Sequence, residues 1–308
     1  MLLAGLLLIV LSGELLLLSW IGRVWVGSGA PVYGVIAALL LLACFWRSLM
    51  VLITFALSGG LRGQRPLAAI KTIAGEILVV LYLYTYAQVF CAIFYRFKEW
   101  LGVREPRPRT GLVIVLVHGF VCNSGLWVGM IRHLRAAGFT HVHTVDLDPL
   151  YRSMRKSLAQ FEASLNKIMP LESSHEEVIL IGHSMGGVLA RVFQNRHPER
   201  VLAAISIGAP HAGTDLARLV STVESGPARP DTRWLMEFNA ALAAEQDATL
   251  RPALNIWSDV DNIVYPQGNA ALSAGVDRRL NGVGHLHLVF SKRALKLIVE
   301  FLDKLGKH

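Results

Sequence analysis

The distribution of charge divides the chain in two. From Met1 to Ile21 the one charged residue is Glu14, from Val24 to Trp46 there is none, and Arg47 stands alone before Arg62. Ile77 to Tyr95 is again uncharged. About 20 consecutive apolar residues cross a bilayer as a helix. The pattern therefore predicts three membrane helices, at about 2–21, 31–55 and 76–96. Trp20, Trp25, Tyr33, Tyr95 and Trp100 fall near the ends of these segments, where aromatic rings favour the interface. A secretory signal peptide is the alternative for the first segment. It has no basic leader and no small-x-small cleavage site, and more apolar segments follow, so a retained helix is expected. Glu14 and Arg47 are costly at membrane depth, and pairing across helices would lower that cost. A snorkelling Arg47, or a second helix ending near Trp46, would lower it too.

Beyond residue 111 the pattern changes to short apolar runs separated by amphipathic stretches. Strands are expected at 112–117, 142–146, 178–182, 201–207, 253–258 and 278–282, and helices at 124–137, 153–169, 185–197 and 288–305. Leu112 to Val117 is apolar at every position, as in a parallel strand buried on both faces. Strands that alternate with helices imply a mostly parallel sheet in one α/β domain, 112–308, after a membrane region, 1–97. The segment between them, 98–111, is basic and interrupted by proline. It reads as a juxtamembrane linker that either meets anionic headgroups or is a solvated connector. A long connection, about 211–252, separates two strands and is expected to be a lid-like insertion. Leu216, Leu219, Val220 and Val223 have helical spacing there, as do Leu235, Phe238 and Leu242, which suits amphipathic helices packed on the core equally well.

Composition sharpens this picture. Hydrophobic residues make up 53% of 308 positions, above the usual share for a soluble enzyme, and the excess sits at the N-terminus. The formal net charge of +8 would suit nucleic acid as well as a membrane, but basic residues beside apolar segments favour a lipid surface. Arg62, Arg65 and Lys71 would lie on one side, and Arg23, Arg96, Lys98, Arg104, Arg107 and Arg109 on the other. The second set is larger, so the positive-inside rule favours a cytoplasmic location for the α/β domain by a small margin. Three cysteines, Cys44, Cys91 and Cys122, make no disulfide framework. No metal-ligand spacing, phosphate loop or dinucleotide fingerprint occurs, so neither metal nor cofactor is expected.

The candidate chemistry centres on Gly182-His183-Ser184-Met185-Gly186, placed between the apolar run Val178–Ile181 and an expected helix. A serine there must sit on a very sharp turn, so the positions two residues away must lack side chains. The turn lifts the hydroxyl off the sheet edge. It also aims the Met185 N–H at the same point in space. His118-Gly119-Phe120 follows an earlier strand and would supply a second N–H, that of Phe120. Two such donors suit an oxyanion. His118 itself is better placed to support the loop than to transfer a proton. Downstream, Asp259 and Asp261 at a strand end compete to orient a histidine, with Asp261 favoured, and a turn or cap role is open to either. Gly282-Val283-Gly284-His285 would swing an imidazole over the sheet edge, which makes His285 the preferred base over His287.

These blocks, with Gly208-Ala209-Pro210-His211-Ala212-Gly213-Thr214 and the Asp261-Asn262-Ile263-Val264 stretch, resemble the α/β-hydrolase fold from about Leu112 to Leu305, and within it the bacterial lipases and esterases. The resemblance implies Ser184, Asp261 and His285 as a catalytic triad, with the Phe120 and Met185 N–H groups as the oxyanion hole. It implies an α/β-hydrolase sheet with helices on both faces, here preceded by about three transmembrane helices. The expected protein is a serine hydrolase integral to a bacterial inner membrane, acting on lipid or lipophilic acyl esters. Its expected partners are that substrate and the bilayer, and no nucleic acid. An acyltransferase or thioesterase with the same machinery, or a silent membrane scaffold on this fold, is the alternative.

Overall fold

Why the expected strands share one sheet is plain from their two-sided burial in the computed structural model, which describes residues 2–27, 29, 31–91, 112–147, 154–169, 177–216, 251–272 and 275–306. The linker 98–111, and 217–250 of the lid-like insertion, lie outside the described residues. Long helices come first: α1 (Leu2–Gly27), α2 (Val32–Ser58) and α3 (Pro66–Tyr82), the last running on as a π-helix over Leu83–Cys91. The α/β part follows as β1 (Val113–Val117), a 3-10 turn (Ser124–Trp127), α4 (Val128–Ala136), β2 (Val142–Val145), α5 (Met154–Ile168), β3 (Val178–His183), α6 (Met185–Arg196) and β4 (Val201–Ile207). It closes with β5 (Ala253–Ser258), a second 3-10 turn (Gln267–Ala270), β6 (Val276–Leu280), the single turn α7 (His287–Phe290) and α8 (Lys292–Leu305).

The six strands are parallel, in the order β2-β1-β3-β4-β5-β6. Side chains of β1 alternate between two cores, as a period of two requires. Val113, Val115 and Val117 pack with Phe161, Val188, Leu189 and Phe193 from α5 and α6. Ile114 and Leu116 pack with Trp127, Leu134, Ile298 and Leu302 on the other face. Both faces are therefore dry, which is why β1 is apolar throughout.

Two expected elements shift. The last strand runs over Val276–Leu280 rather than 278–282. Its Asp277 accepts hydrogen bonds from Asn255 Nδ2 at 2.6 Å and Trp257 Nε1 at 2.7 Å, which sets its register on β5. As an exposed edge it carries charge, so no apolar run marks its bounds. The expected helix 288–305 is broken at Ser291, whose backbone is extended (φ −67°, ψ 121°).

The N-terminal helices pack closely on the rest of the chain. Leu83 and Ala87 of the π-helix belong to the same core as Ile114 and Trp127. Asn123 donates its N–H to Gln88 Oε1 (2.9 Å) and its Nδ2 to the Gln88 carbonyl (2.7 Å). A Cβ on Gly125 would overlap the Ala87 carbonyl, so this contact demands glycine. Among the described residues one helix, Pro66–Cys91, is long and apolar enough to cross a membrane by length and composition, and three spans are not shown. It begins ten residues earlier than the expected helix at 76–96. The α1–α2 pair is tied as the charge pattern suggested. Arg47 donates Nη1 and Nη2 to the two oxygens of Glu14 at 3.2 and 3.0 Å.

A half-buried ion pair on apolar helices is costly to break and cheap to replace. Arg47→Leu should lower the unfolding midpoint in detergent by an amount worth about 1–2 kcal/mol, and adding Glu14→Leu should restore it. Thermal unfolding of the single and double variants checks this.

Candidate active site

The turn after β3 has the geometry its sequence requires. Ser184 has φ 55° and ψ −126°, a region that side chains rarely occupy, and α6 starts at the next residue. A Cβ on Gly182 would overlap the Gly186 carbonyl, and one on Gly186 would overlap the Val117 carbonyl. The backbone there is too crowded for any other residue. Ser184 N–H donates to the Ile207 carbonyl at 2.9 Å, fixing the turn to β4. Gly119 lies against the serine: a Cβ there would sit 2.7 Å from Ser184 Cβ.

Among the described residues the other positive-φ residue that is not glycine is Val121, at φ 52°. For a β-branched side chain this is a strained backbone, and such strain gathers at functional sites. The loop is held from outside, since Tyr84 Oη donates to the Val121 carbonyl at 3.2 Å. Strain at Val121 and at Ser184 flanks the two candidate oxyanion donors. The Met185 N–H starts a helix and so lacks an intrahelical acceptor. Among the described residues neither it nor the Phe120 N–H has a hydrogen-bond partner. The Phe120 side chain is 46% exposed.

Asp261 is fully buried. Its Oδ1 accepts the N–H groups of Ile263 and Val264, both at 2.8 Å, and its Oδ2 lies 2.9 Å from His285 Nδ1. Asp259 turns elsewhere and accepts the Gly282 N–H at 3.1 Å. Of the two carboxylates, Asp261 is the one that faces the histidine. His285 is buried, its N–H donates to Asn262 Oδ1 at 3.0 Å, and its ring lies against that of His183, tilted by 52° with centroids 4.6 Å apart. Among the described residues Ser184 Oγ makes no hydrogen bond, so the link from serine to His285 Nε2 is open here. Such bonds are often long without substrate and tighten in the complex.

The histidines differ by environment. Burial disfavours a charged His285, but the Asp261 charge and hydrogen bond, with Glu76 adding to them, outweigh it and raise the pKa above the ordinary 6.5. With Nδ1–H given to Asp261, Nε2 is the free base. Burial and the neighbouring His285 push His183 well down, and its Nε2 donates to the His285 carbonyl at 3.2 Å. Burial also lowers His118. Its Nε2 accepts the Leu147 N–H at 3.0 Å, and Nδ1 lies 2.8 Å from the Gly119 carbonyl. It supports the loop, as expected. His211, pushed down to about 3 by burial, meets Ser206 Oγ and Asn255 Oδ1 at 3.0 and 3.3 Å. His287 takes no part in the Asp261 contact. Burial drives the Cys122 thiol up to about 12, which makes it a poor nucleophile.

Three neighbours of the site had no role assigned from the sequence. Gly208, at φ 56°, passes so close that a Cβ would lie 3.3 Å from His285 Nδ1. Asn262 links the His285 N–H to Thr54 of α2, donating Nδ2 to Thr54 Oγ1 at 2.8 Å. Glu76 accepts backbone N–H groups just after His285. A carboxylate in so apolar a helix was the one signal for it.

Known proteins give a consistent picture. A family model described as alpha/beta hydrolase fold matches residues 113–222. The chain is 32% identical over 111 residues to a mouse (Lyso)-N-acylphosphatidylethanolamine lipase, covering 34% of this chain and 32% of that one. It is 28% identical over 194 residues to a Pimeloyl-[acyl-carrier protein] methyl ester esterase of Aeromonas hydrophila, covering 52% and 74%. It therefore spans about a third of the length of the mouse relative. The solved mature form of the Bacillus licheniformis lipase BlEst2 superposes with a TM-score of 0.53 at 19% identity, over 66% of this chain and 95% of that one. The fold is that of the α/β hydrolases, built on a parallel sheet.

If Asp261 is what holds the proton on His285, Asp261→Asn should drop the ring's titration midpoint below 6.5, because burial persists while the charge is gone. NMR titration of the ring checks this. The same raised value stabilises the fold fully below the unfolded pKa, and that contribution fades as pH rises through the folded one.

Proposed function

We propose that the protein is a membrane-anchored serine hydrolase of carboxylic esters, of the lipase and esterase type, acting on lipid or lipophilic acyl esters. The observation that carries this reading is the buried Asp261–His285 pair at 2.9 Å, beside a serine on a strained strand-to-helix turn. Two relatives, a lipase and a methyl ester esterase, support the reaction class. Attachment to a bilayer is supported by the large apolar side chains exposed on α1 and α2, among them Leu16, Trp20, Leu41, Phe45 and Met50. Residues 1–97 then form the membrane region, 98–111 the linker and 112–308 the hydrolase domain.

In this mechanism Ser184 Oγ attacks the ester carbonyl and His285 Nε2 takes its proton. Asp261 keeps the Nδ1 proton and stabilises the imidazolium. The carbonyl oxygen becomes an oxyanion held by the Phe120 and Met185 N–H groups, and losing one such donor typically costs ~3–4 kcal/mol of transition-state stabilisation. Collapse breaks the ester C–O bond, and the alcohol leaves with the proton from His285. Water repeats the sequence on the acyl-enzyme and frees the acid.

Detergent-solubilised protein should hydrolyse p-nitrophenyl esters and label with a fluorophosphonate. Ser184→Ala should lose turnover by at least about 10⁴-fold and fail to label, whereas Cys122→Ala should label fully. Equal labelling of wild type and Ser184→Ala would overturn the reading. Since the base must be neutral, kcat/KM should fall on the acid side with a midpoint above 6.5.

A further inference from the structure

The loop that carries His285 is held by the N-terminal helices. Glu76, on α3, is 1% exposed. Its Oε1 accepts the Leu286 N–H and its Oε2 the His287 N–H, both at 2.9 Å. These are the two residues directly after His285. On the other side of the histidine, Thr72 Oγ1 donates to the Gly282 carbonyl at 3.2 Å. Gly284 has no space for a side chain because the Glu76 carboxylate fills it, and a Cβ on Gly75 would lie 2.6 Å from His287 Nδ1. One turn of α3 thus grips the loop before and after the imidazole. Burying a carboxylate is expensive unless it is well hydrogen-bonded, and bonds to two backbone donors offset part of that cost. The grip is directed at His285. Other contacts from the same end of the chain hold the Phe120 loop through Tyr84 and Gln88, and Asn262 through Thr54.

We propose that Glu76 is a positioning residue for the reaction at Ser184, setting the place of the His285 ring through the backbone of residues 286 and 287. The helical segment assigned above to the membrane region is then a working wall of the site. This rests on the hydrolase reading above. The titratable groups facing Glu76 are His285, Asp261 and His287 from the hydrolase side and Tyr84 from its own segment.

The test compares full-length wild type, Glu76→Gln and Glu76→Ala in one detergent, with p-nitrophenyl butyrate and a fluorophosphonate as probes. Glutamine keeps the volume and one acceptor, but turns an NH2 donor toward the other N–H and removes a charge near His285. Small displacements of a reacting group cost up to about 100-fold. On that scale kcat should fall about 10-fold in Glu76→Gln and about 100-fold in Glu76→Ala, with KM nearly unchanged and labelling slowed in step. The acid limb of kcat/KM in Glu76→Gln should move to lower pH, because Glu76 helps hold the proton on His285. A contact that only supported the fold would lower the unfolding midpoint and leave that limb in place. Should Glu76→Ala fail to fold, the glutamine isostere decides alone. Wild-type kcat and an unmoved limb in Glu76→Gln overturn the proposal. A wild type that neither turns over ester nor labels overturns the hydrolase reading itself, and this inference with it.

Discussion

A buried carboxylate must be met by donors, and Asp261 is where that demand organises the molecule. Two of its donors are the N–H groups of Ile263 and Val264, which close the loop after β5. The third is the His285 imidazole, which belongs to the loop after β6. Satisfying one charge therefore locks two loops together at the same end of a parallel sheet, the end where the β3–α6 turn presents Ser184. The imidazole pays the desolvation cost of its own protonated form through this contact, and its second nitrogen is left free.

The serine side obeys a different constraint, which is space. Three chain segments meet at Gly182, Gly186 and Gly119, each so close that a side chain would strike backbone or the serine itself. The turn is strained, and β4 holds it through the Ser184 N–H and the Ile207 carbonyl. Val121 carries similar strain on the facing loop. A rigid core beneath, dry on both faces of the sheet, resists relaxation of either turn.

Helices rich in apolar residues would be expected to keep polar groups away from their surfaces. Here Thr54, Thr72, Glu76, Tyr84 and Gln88 do the opposite, and each is bonded to a loop of the α/β part. The other face of the same segment exposes Leu67, Ile70, Leu78, Tyr86 and Phe90. One face is thus matched to a folded domain while the other is apolar and exposed, a division that hydropathy averaged along the helix does not register.

Local rules were enough to make several features legible. β4 and β5 appear at their expected bounds, since both are apolar runs between clear breakers. The turn at Ser184 was readable from its glycines, and the loop-supporting role of His118 from its place after β1. The bounds of the polar edge strand β6 and the break at Ser291 were not, because neither interrupts nor creates an apolar pattern. The choice of Asp261 over Asp259 depends on which carboxylate points at a loop 24 positions away. Glu76 meets its partners across 210 and 211 positions of sequence. The sequence by itself determined the order of strands and helices and the strained serine turn, because these follow from residues within a few positions of one another. Which buried charges face which loops was decided only by the tertiary structure, since a desolvated carboxylate takes whatever donors folding brings to it.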